Sequence, residues 1–419
     1  MRRLYSAIAY MVAPLYCGAL LWRGVRERGY WRRFGERLGL GATLGSPSLW
    51  VHAASLGEVQ AAAALVHELQ RIIPATPVVL TTSTAAGADR GRALLGARHV
   101  DVRYVPLDLP GAVRRFLDRA RPRLAIVLET ELWPNLYAEC GRRGIPLVLA
   151  SARVSERSTR RYALLGSVFR GALSNCTVLA AQSEADATRF RRLGAAPERT
   201  AVVGNIKFDF EVPAQTEEKG RALRAYYAGA RPVWVAGSTH EGEERAVLAA
   251  HERVRADART ALLVIAPRHP PRFAEVAALL ERQGVRFARR SSQESCDSST
   301  EVLLLDTLGE LVEFYAAADV VFVGGSLVPV GGHNLLEPAA LARAILTGPH
   351  QLNAPEIARM LAERKAVAIV HDCAELAARV GELLASPEAR TAAGERARAV
   401  LDENRGALAR LVALIAPLL

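Results

Sequence analysis

Three stretches in the first half of the chain carry residue types that can move a proton or steady a developing charge. His52–Glu58 (HAASLGE) follows an apolar run, so Glu58 falls at the opening of the next helix and at the ligand edge of a sheet. A carboxylate there can accept a proton from a substrate hydroxyl; it is also where the helix dipole favours any first-turn glutamate. Gly57 gives the chain room to turn. Leu128–Asn135 (LETELWPN) closes another apolar run with Glu129 and Glu131, whose alternation predicts opposite faces. One then enters a site while the other caps or pairs. Paired carboxylates also serve glycoside hydrolysis or metal binding, but no histidine cluster joins these. Gly204–Asp209 (GNIKFD) offers Lys207 to a phosphate or a carboxylate, with a solvated surface lysine as the plainer alternative.

The second half offers anion chemistry. In Val323–Pro338 two glycine pairs, Gly324/Gly325 and Gly331/Gly332, follow a buried apolar run. Asn334 stands where a helix cap belongs, Glu337 comes three positions later, and Leu335 opens an apolar helical run. Strand, glycine-rich loop and capped helix predict free N–H groups facing an anion. The spacing is not that of a dinucleotide fingerprint. Arg268, in Pro267-Arg268-His269, suits a phosphate or a base edge. Asp306–Leu311 (DTLGEL) predicts further free N–H groups at a helix start. In Gly237–Glu244 (GSTHEGEE), His240 and three glutamates match no common metal-ligand spacing and read as a loop with an acidic helix start. Four strand ends of this half converge on one crevice.

These positions need a scaffold, and the pattern supplies one. Apolar β runs at 49–53, 78–82, 124–128, 145–150 and 177–181 alternate with helical periodicity, as at Glu58–Arg71, Leu109–Arg119 and Ala185–Leu193. A polar stretch, Glu211–Gly220, interrupts, and β runs resume at 233–236, 261–266, 302–305, 319–323, 344–346 and 366–370. The class is α/β: two doubly wound halves facing across a cleft, with ligands beyond the carboxyl ends of the strands. The expected boundaries are an anchor over 1–39, a first domain over 40–210, a linker over 211–222, a second domain over 223–400 and a helical tail over 401–419. Arg289–Thr300 is serine-rich and reads as a mobile loop.

Leu4–Trp22 carries no charge, and as a helix would cover about 28 Å, one hydrocarbon core. Pro14 weakens it as a spanning helix. Arg23–Gly39 has six arginines against two glutamates, interleaved with Tyr30, Trp31 and Phe34, a belt suited to an anionic membrane face. The 419-residue chain carries a net charge of +11, which favours anionic partners. No nucleic-acid-binding motif accompanies that charge. Five scattered cysteines without CxxC argue against a zinc ribbon or a disulfide framework.

Taken in order, HAASLGE, ETELWPN, GNIKFD, PRH and GGHNLLEP resemble the 3-deoxy-D-manno-octulosonic acid (Kdo) transferases, which build the inner core of lipopolysaccharide; the resemblance spans essentially the whole chain. It implies a GT-B fold of two Rossmann-like domains. The donor would be CMP-Kdo and the acceptor a phosphorylated lipid A precursor, lipid IVA, at the cytoplasmic side of the inner membrane. Transfer would invert configuration without a bound metal or resident cofactor. Glu58 matches the family's general base, and Glu129 and Lys207 match positions that stabilise the transition state. Pro267, Arg268, Leu308, Gly309, Glu310, Asn334, Leu335, Leu336 and Glu337 match contacts to CMP. A GT-B nucleotide-sugar epimerase and a membrane-tethered, non-catalytic nucleotide-binding scaffold are the alternatives.

Overall fold

The computed structural model describes residues 1–96 and 100–419. The chain forms two compact units, Met1–Asp209 with Arg405–Leu419, and Phe210–Asn404.

The first unit opens with helix α1 (Arg2–Arg26), which contains Pro14. Strands and helices then alternate: β1 (Ser48–His52), α2 (Leu56–Ile72), β2 (Val78–Thr82), α3 (Ala85–Leu95), β3 (Val100–Tyr104), α4 (Pro110–Ala120), β4 (Pro122–Leu128) and α5 (Pro134–Arg142). After β5 (Leu147–Ala152) come α6 (Glu156–Leu164), α7 (Gly166–Leu173), β6 (Val178–Ala181), α8 (Glu184–Leu193) and β7 (Thr200–Val202). The strands form one sheet in the order β3-β2-β1-β4-β5-β6-β7, every pair parallel. Strand alternation sorts the side chains into two cores. Leu49, Val51, Leu80, Ile126 and Val148 pack on one face with α2 and α3, while Trp50, Val79, Ala125 and Val127 pack on the other with α4, α5 and α8. A Val or Leu side chain so buried contributes roughly 1.5–3 kcal/mol, and a sheet covered on both faces needs the continuous apolar runs seen here.

The second unit begins with α9 (Thr216–Tyr227) and continues through β8 (Val233–Thr239), α10 (Glu243–Asp257), β9 (Leu262–Pro267), α11 (Pro271–Arg282), β10 (Phe287–Arg289), β11 (Val302–Leu304), α12 (Leu311–Ala317) and β12 (Val320–Val323). It closes with α13 (Leu336–Ala340), β13 (Ala344–Thr347), α14 (Pro355–Glu363), β14 (Val367–Ile369), α15 (Cys373–Ala385) and α16 (Pro387–Glu403). Its sheet, again parallel throughout, has the order β10-β11-β9-β8-β12-β13-β14. The last helix, α17 (Ala407–Ile415), belongs to the first unit, where Leu411 and Ile415 are fully buried in the core beside α2.

Several expectations give way here. Residues 216–222, expected in a linker, are the first half of α9, which packs on α12 and buries Thr216 and Gly220. The expected tail splits, because residues 401–403 finish α16 and α17 completes the first core. Strands β3, β7 and β10 have no counterpart among the apolar runs. All three are edge strands, two of them three residues long, and β3 carries Asp101 and Arg103, which pair with each other at 2.8 Å. Arg289 belongs to β10, and the loop after it is held by hydrogen bonds: Ser291 donates to Asp306, and the Asp297 carboxylate accepts from Ser299 and Thr300. The basic belt is partly interior. Tyr30, Glu36 and Arg37 are buried, with the Arg37 guanidinium 4.1 Å from the Tyr104 ring centre.

Candidate active site

In the first sheet the strand order reverses between β1 and β4, so the crevice beyond their carboxyl ends is the place a doubly wound sheet reserves for ligands. Glu58 comes from the first of these strand ends. Ser55 caps α2, its Oγ accepting the Glu58 N–H at 3.3 Å and donating to Oε1 at 2.8 Å; the Ala54 N–H donates to Oε2 at 2.9 Å. This reciprocal cap fixes the carboxylate with few rotamers left to it. Gly57 lies inside the helix with nothing within 4 Å of a Cβ built on it, so the turn is made by the cap and not by that glycine.

Glu129 follows β4 in a left-handed conformation, φ 60°, costly for a residue with a side chain. Strand alternation therefore stops at Leu128, and the expected division of Glu129 and Glu131 between two faces does not hold. Glu129 accepts the Lys207 ammonium at 2.5 Å and has the Arg153 Nε at 3.8 Å. Lys207 sits on a 3-10 turn, Ile206–Asp209, after β7, whose amide donates to Asn205. Burial, then Glu129, pushes the Glu58 carboxyl above its ordinary range; Ser55, Ala54 and Lys207 oppose that rise. Burial, then Glu58 and Glu129, takes Glu131 up to about 7. Three mutually repelling carboxylates with two cations thus keep a proton in the cluster near neutrality, which is how a carboxylate comes to act as a base at physiological pH. Beneath them His52 is fully buried, its Nδ1 2.9 Å from Thr81 Oγ1 and its ring 4.6 Å from that of Trp133.

The second sheet reverses between β8 and β12. The loop after β12 does not leave its amides open to an anion. The buried Glu243 carboxylate accepts the N–H groups of Gly325 at 2.7 Å, Ser326 and Leu327 at 2.8 Å and His240 at 3.0 Å. The expected anion nest is filled from within, by the first-turn acid of α10. Asn334 accepts the Leu336 N–H at 3.1 Å and donates to Glu337 Oε1 at 3.1 Å, but it is not the expected cap: the N-cap of α13 is Leu335, which makes no side-chain cap bond, and the helix has only five residues. The amide of Arg268 donates to the Thr239 carbonyl, while its guanidinium engages no acceptor among the described residues. Glu310 accepts from Arg290 at 2.6 Å and from Thr307; Gly309 is left-handed, φ 89°, and Leu308 is exposed. Those contacts and the Asp306 pairs with Ser291 and Arg289 tie down much of the polar surface expected to be open at that helix start.

The structure therefore joins Glu58, Glu129 and Lys207 at one switch point, and sets Pro267, Arg268, Leu308–Glu310 and Asn334–Glu337 around the strand ends of the other unit. Sequence reading passed over Arg153, and took Glu243 only as part of an acidic helix start. For Glu243 a signal existed, an acid in the first turn of a helix that follows a strand–loop, but it equally fits a dipole-favoured surface residue. No group of three or more His, Cys, Asp or Glu arranged to hold a metal occurs among the described residues.

Two doubly wound parallel sheets in succession define an α/β protein of the GT-B class. The UDP-GlcNAc 2-epimerase of Neisseria meningitidis, solved bound to UDP-GlcNAc, has the same fold, with a TM-score of 0.60 over 89% of this chain and 100% of its own at 14% identity. At that identity the likeness speaks for fold alone. Residues 32–210 match the family described as 3-deoxy-D-manno-octulosonic-acid transferase (kdotransferase). The 3-deoxy-D-manno-octulosonic acid transferase of Haemophilus influenzae is 40% identical over 422 residues, covering 100% of this chain and 99% of its own. That of Bordetella pertussis is 38% identical over 98% of this chain and 97% of its own. The chain belongs to the Kdo transferase family and is a glycosyltransferase. Membership sets aside the epimerase and the non-catalytic scaffold.

Proposed function

We propose that the chain moves Kdo from CMP-Kdo onto a lipid A precursor, lipid IVA, in lipopolysaccharide synthesis, with Glu58 as general base. The acceptor hydroxyl oxygen attacks the Kdo anomeric carbon, its proton passes to Glu58, and the bond to the phosphate oxygen breaks with CMP taking the electron pair. Attack from the side opposite the leaving phosphate inverts the centre. Glu129 and Lys207 steady the charge that develops, and Arg268 with the Leu308–Glu310 and Asn334–Glu337 segments seats the nucleotide. No resident cofactor or metal enters this reading. The observation that carries it is the Glu58 carboxylate, held by Ala54 and Ser55 at the switch point of the first sheet with its proton affinity raised by burial.

Glu58→Gln keeps the shape and removes the base. Transfer measured by mass of the lipid product is expected to fall at least about a hundredfold, the low end of general-base contributions, while CMP binding persists. Unchanged turnover would remove Glu58 from the chemistry.

The same reading seats α1 in the cytoplasmic face of the inner membrane. Arg2–Val25 is long and apolar enough to cross a bilayer. Leu4, Ile8, Met11, Leu15 and Trp22 are exposed along it at helical spacing. Other positions hold the first unit: Ser6 Oγ donates to Asn135 Oδ1 at 2.8 Å and the Gly111 N–H donates to Tyr10 Oη at 3.1 Å. A helix tied along one side and apolar along the other suits the membrane surface. Flotation with vesicles containing anionic lipid is expected to carry the wild type and to lose Met11→Glu/Leu15→Glu; equal flotation of both would count against the seat.

A further inference from the structure

Around the junction of β8 and β12 stand three side chains that the proposed reaction does not use, His240, His269 and His333. The His240 and His333 rings are nearly parallel, 7° apart, with centroids at 5.1 Å and the two Nε2 atoms at 2.8 Å. His269 stands edge-on to His240 at 5.3 Å. Gly325 makes room for this arrangement. Its φ is 67°, and a Cβ there would lie 2.7 Å from His333 Cδ2 and 2.8 Å from Nε2. The amides of Gly325, Ser326 and Leu327 already go to Glu243, so they are not open to an anion here, whereas Arg268 and the imidazoles stand beside this loop.

A bond between two Nε2 atoms contains one proton, so one ring donates and the other accepts. Two neutral rings satisfy it. So does a pair with one added proton, which goes to Nδ1 of the donating ring and leaves the bond intact. A second added proton would set two N–H groups head to head. The pair can therefore carry no charge or one. Arg268 and Arg272, from the loop and helix after β9, and the neighbouring His269 face it and disfavour the charge; Glu243 of α10 favours it. Burial is the largest influence, and both rings bind protons more weakly than free histidine, His333 with a value of about 3. The pair is neutral at pH 7 when no anion is near. A phosphodiester beside Arg268 works against the lowering influences, since it cancels the guanidinium and brings a negative charge towards the rings.

We propose that the His240–His333 pair takes up one proton when the phosphodiester monoanion of a sugar nucleotide binds beside Arg268, so that donor binding is coupled to protonation of the pair. This rests on the donor seat assigned above. Affinity for the anion then rises as pH falls, by up to about tenfold per unit, between the proton affinities of the occupied and the empty pair, and levels off below the latter.

Cytidine 5′-methylphosphate is a suitable probe, because it is a phosphodiester that cannot be transferred and whose phosphate does not titrate near neutrality. Titration calorimetry of the full chain at about pH 6.5, in two buffers of different ionisation enthalpy, counts the protons taken up. The expected result is about half to one proton per bound ligand, with affinity weakening about three- to tenfold by about pH 8. In His240→Asn and His333→Asn the uptake is expected to vanish and the affinity to become flat with pH. Binding by the wild type without proton uptake would overturn the coupling while leaving the donor seat intact, as would uptake that survives in both variants. Failure of the probe to bind at all would overturn the donor seat and the coupling with it.

Discussion

The two units use one scaffold to different electrostatic ends. Each has seven parallel strands, a reversal of strand order, and a glutamate in the first turn of the helix that leaves the reversal. Around the first reversal stand Glu58, Glu129 and Glu131 with Lys207 and Arg153; around the second stand Arg268, Arg272 and three histidines, with the acids Glu243 and Glu244 tied to loop amides and to Arg272. The paired glutamates differ more than their positions suggest. Glu243 accepts four backbone N–H groups and is fully buried, so it is part of the loop's architecture. Glu58 accepts from one backbone N–H and one hydroxyl, and faces a like charge at Glu129. A carboxylate whose acceptor sites are filled by amides has no capacity for a substrate proton; one held by two donors and repelled by a neighbour has. The scaffold places the acid, and the number of amides it must satisfy decides whether it supports or reacts.

Stability separates the two roles most sharply. Glu243→Ala orphans four N–H groups, three of them in the loop after β12, and each buried donor left unpaired costs about 1–3 kcal/mol. Chemical denaturation is expected to show a loss of at least about 3 kcal/mol. Glu58→Ala removes a helix-cap partner and is expected to lose only about 0.5–2 kcal/mol. Equal losses at the two positions would mean that Glu58 is as structural as Glu243, and the contrast would fail.

The same contrast marks what the sequence could convey. Strand–helix alternation was legible because sheets buried on both faces require long apolar runs such as Leu124–Leu128 and Val233–Ala236. The short edge strands β7 and β10 were not, since Thr200 and Arg289 break any continuous apolar run there. Glu58, Glu129 and Lys207 were legible one at a time as polar residues just after strands. Their meeting was not, because 78 residues separate the Lys207 ammonium from the Glu129 carboxylate it touches. Nor could a glycine-rich loop announce that its amides were already taken, since Glu243 lies 82 positions before Gly325. The His240–His333 contact, across 93 positions, is of the same kind. What one sequence withholds is the set of pairings made after the sheet has closed.

Acidification sharpens the comparison with a smaller effect. His52 in the first unit and His251 in the second are both buried neutral, their proton affinity driven by burial from 6.5 to about 3. His251 is fixed in that form, accepting the Trp234 indole N–H at Nδ1 and donating from Nε2 to the Glu301 carbonyl, both at 3.0 Å. The unfolded rings take a proton below pH 6.5 and the folded ones do not, so each contributes stability that is complete above pH 6.5 and declines towards pH 3. From pH 7 to 5 the loss is about 2 kcal/mol per ring. Glu131 acts the other way. Its folded carboxyl holds a proton up to about pH 7 against 4.5 for the ordinary group, so acidification through that window gains about 2 kcal/mol in the first unit. Glu36, Glu58 and Asp108, also raised, push the first unit in the same sense, and in the second Glu244 does so. His333, also held to about 3, and His240 and His269, also lowered, add to the His251 loss in the second unit, so the first unit is expected to keep its stability at pH 5 while the second weakens by at least about 2 kcal/mol. Hydrogen exchange at pH 7 and 5, corrected for the intrinsic rate, reads this from the amides of β1–β7 against those of β8–β14. Parallel weakening in both sheets would show that Glu131 does not carry its proton to neutrality, and the crowded carboxylates of the first switch point would lose the feature that sets them apart from the second.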